Sequence, residues 1–179
     1  NYSKTYHYKS FFKIFNYTKM DIDIITYRNT DGNLPSYLDR CIEDKILKGF
    51  NVLPITPDSY NDEKPYHAGY LHFKNITMPK LKASKEGIFI CEGDVLLKDG
   101  ITIDDCPKTS KPIWLGYKKK LSNYIVGNFL LWLPRSSYDM LEEQLNKKKR
   151  IYSDRFWSNL YFKGLIDLYP VSLADEITH

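Results

Sequence analysis

The sequence predicts an α/β fold, one mostly parallel sheet flanked by helices, and three observations predict it. Apolar β-branched runs alternate with segments of helical spacing. Strand, helix, strand, helix and strand follow one another within roughly 75 residues. No repeat, low-complexity linker or shift in composition divides the chain, so its 179 residues read as a single domain, 1–179, with one core.

The elements follow in order. Residues 1–20, rich in Lys, Tyr and Phe, form a lead-in. Asp21 to Tyr27 alternates and then turns apolar, a first strand, and Arg28 to Asn33 has the composition of a turn. Pro35 opens a helix to about Lys48, with Leu38, Cys41, Ile42, Lys45 and Ile46 near helical spacing and Gly49 at its end. Phe50 to Ile55 is a second strand, followed by a polar loop, 56–66. Ala68 to Ser84 reads as a helix interrupted at Pro79. Ile88 onward is a dry strand. In the second half, Pro112–Tyr117 and Ile125–Leu133 read as strands, Arg135–Asn146 and Asp154–Lys163 as helices, and Leu165–Tyr169 as a last strand before a tail.

Composition narrows the classes. With 42% hydrophobic and 27% charged residues the chain belongs with soluble globular proteins. A net charge of +4, carried partly by Lys118–Lys120 and Lys147–Arg150, is too modest to require a nucleic-acid partner, and none is expected. There is no signal peptide and no apolar stretch of 18 residues, so no membrane span is expected. Cys41, Cys91 and Cys106 are too widely spaced for a disulfide framework or a zinc site, which fits a cytoplasmic, reducing location. The sequons at Asn1, Asn16 and Asn75 then read as chance, and the chain begins at Asn1, not Met.

The chemistry concentrates at Glu92-Gly93-Asp94, where the apolar run from Ile88 ends in two carboxylates. On an extended backbone residues two apart share a side, and Gly93 leaves room for another backbone or a ligand. Hard oxygen ligands at the carboxyl end of a buried strand suit Mg²⁺ or Mn²⁺ carrying phosphates. The plain alternative for such a triplet is a solvated loop. Ligands of a parallel α/β sheet sit at the carboxyl ends of its strands, which favours the metal reading. There is no GxGxxG and no GxxxxGK[ST].

The chain resembles GT-A-fold (Rossmann-like) glycosyltransferases, with Glu92-Gly93-Asp94 in place of the family's DxD motif. The stretch from His67-Ala-Gly69-Tyr-Leu-His72 through Ile88-Phe-Ile-Cys-Glu-Gly-Asp-Val95 is similar to the lipooligosaccharide and collagen-type enzymes. Gly127-Asn-Phe-Leu-Leu131, an acid near Asp154 and Tyr169-Pro170 extend the likeness over roughly residues 21–175. The composition, rich in Lys, Asn, Tyr and Ile, is also similar to that of small capsid-glycan glycosyltransferases of large algal viruses.

The resemblance implies a metal-dependent transfer of sugar from a nucleotide-diphosphate donor, UDP- or GDP-linked, to a glycan or glycoprotein acceptor. Residues 21–97 would form the nucleotide-binding half and 98–179 the acceptor half. It implies Asp94 as a ligand of Mn²⁺ or Mg²⁺. Glu92 is a second ligand or a ribose contact, since an Asp is usual there. Thr26, Tyr27 and Arg28 at the first strand end, Asp58 in the next loop, His67, Gly69 and Gly93 are the implied donor contacts. Asp154 is the expected catalytic acid at the acceptor, against pure helix capping. Trp157 and Tyr117 are candidate sugar platforms, whereas Trp132 and His72 read as packing residues. His179 could complete the metal site, as in some retaining relatives. Two rivals stay open. One is a nucleotidyltransferase, which usually carries a Gly-rich basic loop after the first strand. The other is a non-catalytic carbohydrate- or nucleic-acid-binding module. Oligomeric state is not readable.

Overall fold

A computed structural model describes residues 19–26, 33–55, 65–147 and 153–176, with the backbone alone for 65–67, 153 and 176. Strand β1 (Asp21–Ile25) alternates, Ile22 and Ile24 facing one side and Asp23 and Ile25 the other. Helix α1 (Leu38–Leu47) starts later than Pro35, because residues 35–37 close a turn in which the Leu38 amide donates to Pro35 O at 3.1 Å. Its buried face is Leu38, Cys41, Ile42 and Lys45. Gly49, at φ 96°, ends it in a backbone conformation that a side chain disfavours. Strand β2 (Asn51–Val52) is shorter than its apolar run suggests.

Helix α2 (Pro65–His72), a π-helical turn (Phe73–Thr77) and α3 (Met78–Ala83) follow without a break. The expected interruption at Pro79 therefore lies upstream. Pro79 occupies the first turn of α3, where a missing N–H costs little, and the wider π turn absorbs the strain before it. Next come β3 (Gly87–Glu92), β4 (Val95–Leu97), β5 (Ile113–Trp114), the hairpin β6 (Tyr117–Lys120) and β7 (Ile125–Gly127), and β8 (Leu130–Pro134). Helices α4 (Tyr138–Asn146) and α5 (Ser153–Phe162), then β9 (Asp167–Leu168) and β10 (Ala174–Glu176), complete the described elements. The tail expected after Tyr169 thus contains a strand. Lys118–Lys120 lie exposed on β6.

The main sheet has the order β2-β1-β3-β8-β5-β9. β1 pairs in parallel with β2 and β3, β9 pairs in parallel with β5, and β8 runs against both β3 and β5. Five strands therefore share one direction and β8 opposes them, giving a mostly parallel sheet. Both faces are covered. Ile88, Ile90, Leu131 and Leu133 face α2 to α5, and Phe89, Cys91, Leu130 and Trp132 face the opposite layer. That double burial is why β3 and β8 read as unbroken apolar runs. On the second face β10 pairs antiparallel with β4, setting Glu176 opposite Val95. Among the described residues no helix is long and apolar enough to cross a membrane.

Candidate functional site

The carboxyl ends of β1 and β3 finish level, because Ile25 stands opposite Glu92 in their parallel register. Thr26 and the acidic triplet therefore leave the sheet side by side. Gly93-Asp94 is a turn, not an extension of β3, and the Gly93 amide fastens it to β1 by donating to Ile25 O at 2.8 Å. Glu92 and Asp94 nonetheless both line one open concavity. Thr26, Gly93 and Ile25 form part of its wall, with Pro35, Tyr37 and Leu38 from the start of α1.

Gly93 serves packing. A Cβ there would lie 3.3 Å from Ile25 O and 3.4 Å from Leu38 Cδ1, tighter than ordinary contact. The missing side chain admits β1 and α1 behind the turn, while Gly93 also lines the concavity. Thr26 is 2% exposed, and its hydroxyl has no hydrogen-bond partner among the described residues. Buried hydroxyls are nearly always paired, which makes this one unusual beside the concavity that Thr26 helps to line. Tyr37 lines the concavity with both carboxylates, and burial, then the nearby Asp94, Cys41 and Glu92, push its hydroxyl above the usual range. Cys41 and Cys91 behind the site are buried thiols pushed up by burial, to about 11 and about 12, so neither is a nucleophile at neutral pH.

The opposite face of β1 carries a second polar group, absent from the sequence reading. Asp23, 2% exposed, accepts from Thr77 Oγ1 at 2.7 Å and pairs with Lys80 Nζ at 2.7 Å and His72 Nε2 at 3.2 Å. Burial alone would raise this carboxyl, but His72 and Lys80 override it and hold it at about 2. His72 is thus a buried packing histidine with a carboxylate partner, as its helical position suggested.

Asp154 stands in the first turn of α5, half-buried, and its Oδ2 accepts the Tyr124 hydroxyl at 2.9 Å. α5 is held against the hairpin by a bond from the Ile125 amide to Ser158 Oγ at 3.0 Å. Because β7 leads into β8, whose first residue pairs with Cys91 near the end of β3, Tyr124 and Asp154 belong to the same end of the sheet as the triplet.

The structure thus brings Thr26, Glu92, Gly93 and Asp94 together. Tyr27, Arg28, Asp58 and His179 lie outside the described residues, as does the His67 side chain. Gly69 is buried within α2 and is not among the described residues that line the concavity. Tyr117 is half-buried on β6 against the helical core. Trp157 needs correction: it is 1% exposed, with its ring in edge contact with Phe73, Phe129 and Phe156, and it presents no face to a sugar. Tyr37, Leu38 and Tyr124 were not found from sequence. The only signal for the first two was their position just after a strand end.

Among the described residues no three His, Cys, Asp or Glu side chains gather into a metal cage. Two carboxylates beside an open concavity still fit Mg²⁺ or Mn²⁺, which are commonly held by one or two carboxylates with water and phosphate oxygens.

No family model matches the sequence, and no curated protein matches it either. Solved structures do match in fold. One is an inositol-1-phosphate CTP transferase from T. maritima, at TM-score 0.52 and 11% identity over 91% of each chain. Another is a glycosyltransferase involved in the glycosylation of the major capsid of PBCV-1, at TM-score 0.52 and 10% identity. That alignment covers 83% of this chain and 81% of the other. At such identity the likeness is one of fold.

Proposed function

We propose that the protein is a glycosyltransferase that moves a sugar from a nucleotide-diphosphate donor to a glycan or glycoprotein acceptor. The observation that carries the reading is the Glu92 and Asp94 pair, level with Thr26 on one concavity at the carboxyl edge of the sheet. Fold likeness to a glycosyltransferase supports it. Asp94, with Glu92, would hold Mn²⁺ or Mg²⁺, and the bound cation would neutralise charge on the diphosphate leaving group. Thr26 forms part of the wall against which the nucleotide would lie. Asp154 is assigned to the acceptor hydroxyl as general base, its carboxylate oriented by Tyr124. The buried free thiols suit the reducing, cytoplasmic setting proposed with this activity.

A second reading, nucleotidyl transfer, is favoured by the likeness to a CTP transferase across 91% of each chain. The products separate the two. Incubation with a panel of UDP- and GDP-sugars, Mn²⁺ and mixed glycans should release nucleoside diphosphate. Pyrophosphate released from CTP or UTP with a sugar phosphate would establish the second reading and remove the first.

A further inference from the structure

The inner face of α1 runs along the chain that carries the acidic triplet. Leu38 would touch a side chain at Gly93, Lys45 Nζ donates to Val95 O, and Lys48 Nζ donates to Leu97 O. Of these, Lys45 is the anomaly. It is 1% exposed, and an ammonium is among the costliest groups to take out of water. Its neighbour Asp44 is an ion-pair partner only at the long end of the range. Asp44 is engaged by Lys48 at 2.7 Å and by the Leu97 amide at 3.0 Å, while Lys45 stands 3.5 Å from it. The bond of Lys45 to the Val95 carbonyl fixes the Val95–Leu96 peptide, one residue beyond Asp94.

We infer that Lys45 is a positioning residue of the cation site: from behind, through Val95 O, it sets the Gly93–Val95 turn so that Asp94 faces the concavity. The inference rests on the reading of Glu92 and Asp94 as cation ligands. Lys48 makes the same kind of bond one helical turn further from the triplet, so it serves as the matched control.

The experiment is Mn²⁺ binding to the full chain, followed by electron paramagnetic resonance, with a urea midpoint for each variant. Lys45→Met should weaken Mn²⁺ binding about tenfold, the scale of an outer-shell contact. Lys48→Met should lower the urea midpoint and leave Mn²⁺ binding within about twofold of wild type. Should Lys45→Met fail to fold, Lys45→Gln, which is cheaper to bury, carries the same expectation. Unchanged Mn²⁺ binding in the Lys45 variant, or equal weakening in both variants, overturns the inference while the cation site stands. A wild-type protein that binds no Mn²⁺ removes the cation site and the inference with it.

Discussion

Asp94 reaches the concavity from a two-residue turn whose other member has no side chain, so its placement depends on three neighbours: Ile25 O, Leu38 and the Val95 carbonyl. Asp94→Asn keeps the shape of that turn and removes a charge. Donor turnover should fall by about a hundredfold or more, because a hard cation loses a charged oxygen, while the urea midpoint stays close to wild type. Gly87 makes a different point at the other end of β3. It sits at φ 154°, and a Cβ there would lie 2.3 Å from Leu133 O and 2.8 Å from Pro134 Cα, both backbone atoms. Gly87→Ala should therefore cost about 3 kcal/mol or more in denaturant unfolding, since backbone cannot step aside as a flexible side chain can. The acidic triplet was legible because carboxylates at the end of an unbroken apolar run are out of place there. Trp157 was misread for a physical reason: α5 is wedged against β7 and α2, so Phe156, Trp157, Ser158 and Leu160 are all buried. Helical spacing shows that a face exists but not how wide an arc its neighbours cover.

At the scale of elements, β1 is bound on both sides by groups that its sequence only half discloses. Its outer apolar positions announce a strand, but Asp23 looks like an ordinary surface acid until the π turn swings His72, Thr77 and Lys80 onto it. The folded state holds Asp23 at about 2, below its ordinary value of 3.8. The ionised group therefore contributes about 2 kcal/mol that is fully present above pH 4 and is lost as pH falls towards 2. Asp23→Asn should flatten the stability profile over that window and cost about 3 kcal/mol at neutral pH, where it leaves His72 and Lys80 without their carboxylate. Urea midpoints measured from pH 2.5 to 7 test both. β10 was missed, and β2 and β9 proved shorter than their expected runs, because two- or three-residue strands are made by their partners, not by their own periodicity. β10 in particular owes its form to β4 and to Asn128, whose Nδ2 donates to Ala174 O at 3.0 Å.

At the scale of the whole molecule, the order β2-β1-β3-β8-β5-β9 with β8 alone reversed gathers the strand ends that matter onto one edge. The mostly parallel sheet was legible from the early alternation of strands and helices; the reversal of β8 was not, because an apolar run carries no direction. The same edge brings together what the sequence separates widely: Thr26, the start of α1 and the triplet. Asp154 comes to that end of the sheet through the hairpin, at a place that only the fold defines. If this edge is a donor site, ligand binding should stabilise the entire domain. A donor at ten times its Kd contributes about 1.4 kcal/mol, which for a domain of this size raises Tm by roughly 3 to 5 °C.

That shift gives the most direct test of the central claim, that Glu92 and Asp94 hold a cation for a nucleotide-diphosphate sugar. Thermal unfolding of wild type and Asp94→Asn is followed with a panel of UDP- and GDP-sugars, each with Mn²⁺ and with chelator. The account predicts a rise of several degrees for wild type with at least one sugar nucleotide, only when Mn²⁺ is present, and none for Asp94→Asn. A rise that survives both the chelator and the Asp94→Asn substitution would contradict it, as would no rise with any donor.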